Sequence, residues 1–147
     1  QVVVSGAKAA VERAVEIAKA HGAKRAMLLP VSAPFHCALM QPAADVMAEA
    51  LAGVTMNDPA VPLIANVAAG PVSDAATIRD NLVKQVTGTV RWRESVEWMA
   101  ANGVTAMVEL GAGKVLTGMA RRMAPEANCM ATASVADLEA VAAALKA

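Results

Sequence analysis

The feature that most limits what this chain folds into is an alternation along its length. Short β-branched runs take turns with segments whose apolar residues recur at helical spacing. Val2–Val4 opens as a strand-like run, and Val11, Ala14, Val15 and Ala18 then fall on one helical face, away from Lys8, Glu12 and Glu16. Gly22 follows as a stop signal, and Arg25–Val31 reads as a second strand, closed by Pro30 and Pro34. Further on, a helix is expected from about Pro42, with Ala43, Val46, Met47, Ala50 and Leu51 as its buried stripe. A strand over Val61–Ala65, a helix capped by Ser73 and running to about Val86, and a helix over Arg93–Ala101 closed by Gly103 come next. Then follow a strand over Thr105–Leu110, a helix over Lys114–Met123 and a strand over Cys129–Ala133. Ser134 to Asp137 resembles a capping box for a last helix on which Leu138, Val141, Ala142 and Leu145 line up. Strands and helices alternating at this length predict an α/β fold with a largely parallel sheet.

Composition removes several function classes. Thirteen basic residues balance 13 acidic ones, so the clustered positive charge that phosphate backbones demand is missing, and nucleic acid is not expected as a partner. No apolar run nears the roughly 20 residues of a membrane span, and no basic-then-apolar leader is visible. Cys37 and Cys129 make neither a disulfide framework nor a metal cluster, which points to a reducing, cytoplasmic setting and no metal. Gln1 leads straight into Val2–Val4 without a methionine, as expected of a processed chain or a piece of a longer one.

His36 is the candidate for chemistry. It follows a strand and a proline-fixed turn, Ser32-Ala33-Pro34-Phe35-His36-Cys37, where loops at sheet edges carry functional groups. A neutral imidazole there takes a proton from a nucleophile and returns it to a leaving group near neutral pH; the plain alternative is a histidine bonded to a carbonyl. Cys37 adjoins His36, but neighbouring side chains project apart, so a Cys–His pair is not expected. Gly111-Ala112-Gly113-Lys114, between a strand and a helix, is placed to hold an anion on backbone amides, yet it is neither a P-loop nor G-x-G-x-x-G, and a tight turn is the simpler role.

Three segments carry a resemblance. Val31-Ser32-Ala33-Pro34-Phe35-His36-Cys37-Ala38-Leu39-Met40 with Pro42-Ala43-Ala44 looks like the stretch around the catalytic histidine of malonyl-CoA:acyl carrier protein transacylases. Asn81-Leu82-Val83-Lys84-Gln85-Val86, with Val90-Arg91-Trp92 and Ser95-Val96, is similar to a second family segment. Val108-Glu109-Leu110-Gly111-Ala112-Gly113-Lys114-Val115-Leu116-Thr117-Gly118 resembles a third, in which the family often has proline where Ala112 stands.

The resemblance implies part of an α/β-hydrolase-like large domain, residues 32–147, and the later part of a small ferredoxin-like domain, residues 1–31. It implies His36 as general base and acid in malonyl transfer from coenzyme A, through a malonyl-serine, to the phosphopantetheine thiol of acyl carrier protein in fatty acid synthesis. The backbone carbonyl of Gln85 would orient the other imidazole nitrogen, in place of a triad carboxylate. Phe35, in Ala33-Pro34-Phe35-His36, would border the acyl α-carbon, with core packing as its plain alternative. No G-x-S-x-G occurs in the chain, so the nucleophile is expected from the family's N-terminal half, and this chain alone is expected to be inactive. Malonyl-CoA and carrier protein are the implied substrates, that N-terminal half an implied partner, and no cofactor is implied. Arg91, Arg93, Arg121, Arg122, Lys84 and Lys114 are candidates for docking an acidic carrier protein, or otherwise a solvated surface. Two other readings stay open: a non-catalytic α/β module using the Gly111–Gly113 turn, and an acyltransferase domain of a larger polyketide or fatty acid synthase.

Overall fold

The computed structural model describes residues 1–146; Ala147, the last residue of the expected 32–147 segment, lies outside the described residues. The chain forms two compact units, Gln1–Val90 and Arg91–Ala147.

In the first unit, α1 (Lys8–Ala20) half-buries Val11, Ala14, Val15 and Ala18 and leaves Lys8, Glu12 and Glu16 exposed, the phase expected from their spacing. It ends on Gly22 at φ +85°, with Gly22 N–H bonded to Lys19 O and Ala23 N–H to Ala18 O. That bond pair is a Schellman ending, and it needs the left-handed residue that glycine supplies at least cost.

The flanking strands expected at Val2–Val4 and Arg25–Val31 do not form. Neither run joins a ladder among the described residues, and Val2, Val4 and Leu29 are exposed. β-propensity expresses fit to a neighbouring strand, and without that neighbour it makes no sheet. With α1 these runs line an open apolar cleft that includes Val3, Val11, Val15 and Leu28.

A 3-10 turn over Ala38–Met40 feeds α2 (Gln41–Ala52), which has proline in its first turn. The expected stripe is corrected here: Ala44 is the buried residue, Leu51 one heptad on is half-buried, and Val46 and Met47 face outward. Two short strands, β1 (Leu63–Ala65) and β2 (Gly70–Val72), pair antiparallel with Ile64 opposite Pro71. β2 was not expected, because Gly70-Pro71 reads as punctuation; in a hairpin this short, Pro71 sits on an edge that tolerates it. α3 (Ala75–Thr87) is capped by Asp74 rather than Ser73, its carboxylate accepting the Thr77 N–H at 2.8 Å. That bond holds the Asp74 carboxyl below its ordinary range. Ala65, Val72 and Ile78 form the small core of the hairpin and α3, with Met56 against it.

The second unit runs α4 (Trp92–Ala101), β3 (Ala106–Leu110), α5 (Val115–Met123), β4 (Asn128–Thr132) and α6 (Val135–Ala144). β3 and β4 are parallel, Met107 opposite Cys129, with α5 as the crossover helix. Val96, Ala120, Ala124 and Cys129 make the core, flanked by Trp92, Met99 and Met107. Asn128 N–H bonds Thr105 O and Gly111 N–H bonds Thr132 O. In a parallel ladder this phase turns the backbone groups of Ala106, Val108 and Leu110 to the edge away from β4. The Ser134–Asp137 capping box is present in full and starts α6. Of the apolar row expected on α6, Val141 is half-buried, while Leu138 and Leu145 are mostly exposed. No helix among the described residues is long and apolar enough to cross a membrane.

Candidate active site

The turn before α2 sets the geometry of His36. The Cys37 thiol donates to Pro34 O at 3.1 Å, and Met40 N–H reaches back to Cys37 O. Between them the backbone turns over at His36, which takes φ +61°. A residue with a Cβ reaches that left-handed region at a cost of about 1–2 kcal/mol, and such strain concentrates at sites where a side chain must be aimed.

The imidazole is aimed at the carboxyl end of α3. The last carbonyls of a helix lack intrahelical partners. Gly88 N–H takes Lys84 O at 2.8 Å, and the backbone then extends away at ψ 154°. The next carbonyl, Gln85 O, receives His36 Nδ1 at 2.8 Å. A carbonyl only accepts, so Nδ1 carries the proton and Nε2 keeps its lone pair. The Gln85 side chain turns the other way, donating from Nε2 to Gly88 O at 3.1 Å, so this residue serves the site through its backbone.

The ring of His36 is exposed, and its Nε2 has no hydrogen-bond partner among the described residues. Phe35 beside it is 44% exposed, so within the described residues it is not a core side chain. Cys37 is occupied by Pro34 O and is not paired with His36. His36, Gln85 and Phe35 are thus placed in one unit, with the first two in direct contact and the third next to them in sequence.

The second expected polar feature has a different outcome. Gly111 and Gly113 both take positive φ and form the tight turn before α5. Two of the helix-start amides, those of Leu116 and Thr117, are already filled from within. Glu109 accepts from Leu116 N–H at 3.2 Å, from Thr117 N–H at 2.8 Å and from the Thr117 hydroxyl at 2.7 Å. The Thr117 hydroxyl and then the Thr117 N–H hold the Glu109 carboxyl below its ordinary range. Sequence reading did not single out Glu109, since its partners lie seven and eight positions away, beyond any local capping pattern.

Several of the expected docking cations are likewise engaged. Arg91 grips Glu94 through two bonds at 2.7 and 2.8 Å, Arg93 approaches Glu97, Lys84 pairs with Asp80, and Arg121 donates to Cys129 O. No group of three potential metal ligands occurs among the described residues.

No protein-family model matches the chain. It is 54% identical over 123 residues to the malonyl CoA-acyl carrier protein transacylase of Salmonella typhimurium, an alignment spanning 84% of this chain and 40% of that protein. An acyl-carrier-protein-S-malonyltransferase structure from Bartonella henselae superposes with a TM-score of 0.89 at 54% identity, over 95% of this chain and 44% of that one. A malonyl-transacylase solved with a type II PKS acyl-carrier protein superposes with a TM-score of 0.86 at 44% identity, over 91% and 43%. The chain therefore spans under half the length of the relatives it matches.

Proposed function

Because the chain belongs to the malonyl-CoA:acyl carrier protein transacylase family, corresponding to a C-terminal part of its relatives, we propose that it supplies the general base for malonyl transfer from coenzyme A to the acyl carrier protein thiol. Its fold fits that premise: mixed helices and strands, part of an α/β-hydrolase-like large domain with part of a small ferredoxin-like one. The observation that carries the reading is the 2.8 Å bond from His36 Nδ1 to Gln85 O, which leaves the Nε2 lone pair free.

The nucleophile is a serine in the N-terminal half of the family's enzyme, outside this chain. Nε2 takes the serine proton as the serine oxygen bonds the malonyl carbonyl carbon, and returns it to sulfur as the C–S bond of the thioester breaks. In the second half-reaction Nε2 takes the proton of the phosphopantetheine thiol, the new C–S bond forms, and the serine oxygen leaves with that proton. The Gln85 carbonyl stands where a triad carboxylate would, fixing tautomer and ring orientation without adding a charge. Phe35 borders the acyl α-carbon and disfavours a branching methyl, an effect of about 1–3 kcal/mol.

Residues 1–31 belong to the small domain and 32–147 to the large one; the division into compact units at Val90 is a separate feature of this chain. Coenzyme A, carrier protein and the N-terminal half are the partners, the setting is cytoplasmic fatty acid synthesis, and no cofactor takes part. The carrier-binding module built on the Gly111–Gly113 turn is disfavoured, because Glu109 occupies the Leu116 and Thr117 amides at the start of the helix that follows it.

The test is malonyl transfer from coenzyme A to holo carrier protein, followed by mass spectrometry, with the chain alone and with the N-terminal half of a family transacylase. Transfer only in the mixture, lost with His36→Ala, is the expected result. Transfer by the chain alone places the nucleophile elsewhere and refutes the assignment.

A further inference from the structure

The bond from His36 to Gln85 depends on where α3 stops, and the stop is braced from the β1–β2 turn. In that turn Ala68 and Ala69 N–H both reach Ala65 O, at 3.1 and 2.7 Å, and Ala69 is forced to φ +53°. A tight turn that holds an alanine in the left-handed region is over-determined by its surroundings. It presents Val67 to Gly88: a Cβ on Gly88 would lie 2.9 Å from Val67 Cγ2 and 2.8 Å from Lys84 O. Gly88 is therefore in close contact with the valine on one side and the last turn of the helix on the other. Its N–H holds Lys84 O, and its carbonyl receives the Gln85 side chain.

We infer that Val67 is a positioning residue for His36: its methyl groups press Gly88 against the end of α3, and so keep Gln85 O aimed at Nδ1. This rests on the reading of His36 as the base, since it concerns how that base is kept in one tautomer. In this role the side chain acts through Gly88 and Gln85. An imidazole without a partner favours the Nε2–H form, which has no lone pair to offer at Nε2. Slackness at Gly88 thus removes base character without removing the histidine.

The test reads the tautomer directly. In the chain carrying His21→Gln, His36 is the remaining histidine, and its two ring ¹⁵N shifts at alkaline pH give the ratio of Nδ1–H to Nε2–H. The unmodified site is expected to favour Nδ1–H. Val67→Ala should lower the ratio roughly fivefold, about the loss of one ordinary hydrogen bond. Val67→Thr, which keeps the shape, should retain the ratio and covers the case in which the alanine variant folds poorly. Val72→Ala removes a buried valine of the same hairpin core, and should cost stability without moving the ratio. If Val67→Ala leaves the ratio unchanged, or Val72→Ala lowers it as much, Val67 has no positioning role. If the unmodified site already favours Nε2–H, the Gln85 bond itself is absent and the reading of the site fails with it.

Discussion

His36 and Glu109 each serve one end of a helix, and they do so in opposite ways. His36 meets the carboxyl end of α3, where open carbonyls accept an N–H; Glu109 meets the amino end of α5, where open N–H groups favour a carboxylate. Glu109 accepts from three donors within eight residues, one of them the buried Thr117 hydroxyl. His36 makes one bond across 49 positions, keeps a free nitrogen and sits on strained backbone. Glu109 is bonded locally through both carboxylate oxygens, whereas His36 is held at one ring nitrogen with the other left open, the arrangement that the proposed base requires.

The comparison breaks most easily at His36. His36→Ala should lower malonyl transfer by the reconstituted enzyme about 10²–10⁴-fold, the range of a lost general base. Because the ring is exposed, the urea midpoint of the chain should hardly move. A large stability loss with little effect on rate would reverse the roles assigned to the two sites. Thr117→Val is the converse experiment. Removing a buried hydroxyl that bonds Glu109 should cost about 1.5 kcal/mol of stability in urea unfolding. It should leave transfer by the assembled enzyme unchanged.

Acid sharpens the same contrast. The Glu109 carboxyl is depressed in the folded chain, so its contribution is complete above the ordinary glutamate range and fades as pH falls through it toward the lower folded value. Unfolding midpoints measured from pH 7 down to pH 3 should therefore decline less steeply in Glu109→Gln than in the unmodified chain. An identical slope would mean that the carboxylate bonds are not maintained in solution. The smallest effect is expected at the turn. Ala69→Gly relieves the left-handed cost but frees the unfolded chain, for a net gain of about 0.5 kcal/mol by thermal melting.

What was legible in the sequence follows the same division between local and distant partners. The carboxyl end of α1 and the start of α6 are readable because Gly22 and the Ser134–Asp137 pair act within a few residues. Val2–Val4 and Arg25–Val31 were misread as strands because a strand is defined by its partner, and the described residues provide none. The stripe on α2 was placed in the wrong phase, since composition favoured Val46 and Met47 whereas packing selected Ala44. At the site, the turn residues pointed to His36, and resemblance pointed to Gln85. That a particular helix-end carbonyl faces the ring depends on where α3 stops, which Gly88 and Val67 decide from different elements. Glu109 went unnoticed for a related reason: its bonds reach across the Gly111–Gly113 turn.

The most direct test of the central claim is the intact mass of the assembled enzyme, the chain plus the family's N-terminal half, after a brief exposure to malonyl-CoA. The account predicts a malonyl adduct on the N-terminal half that forms rapidly with His36 present and is nearly absent with His36→Ala. Equal adduct formation with and without the imidazole would contradict it, and His36 would then be a structural histidine at the end of a helix.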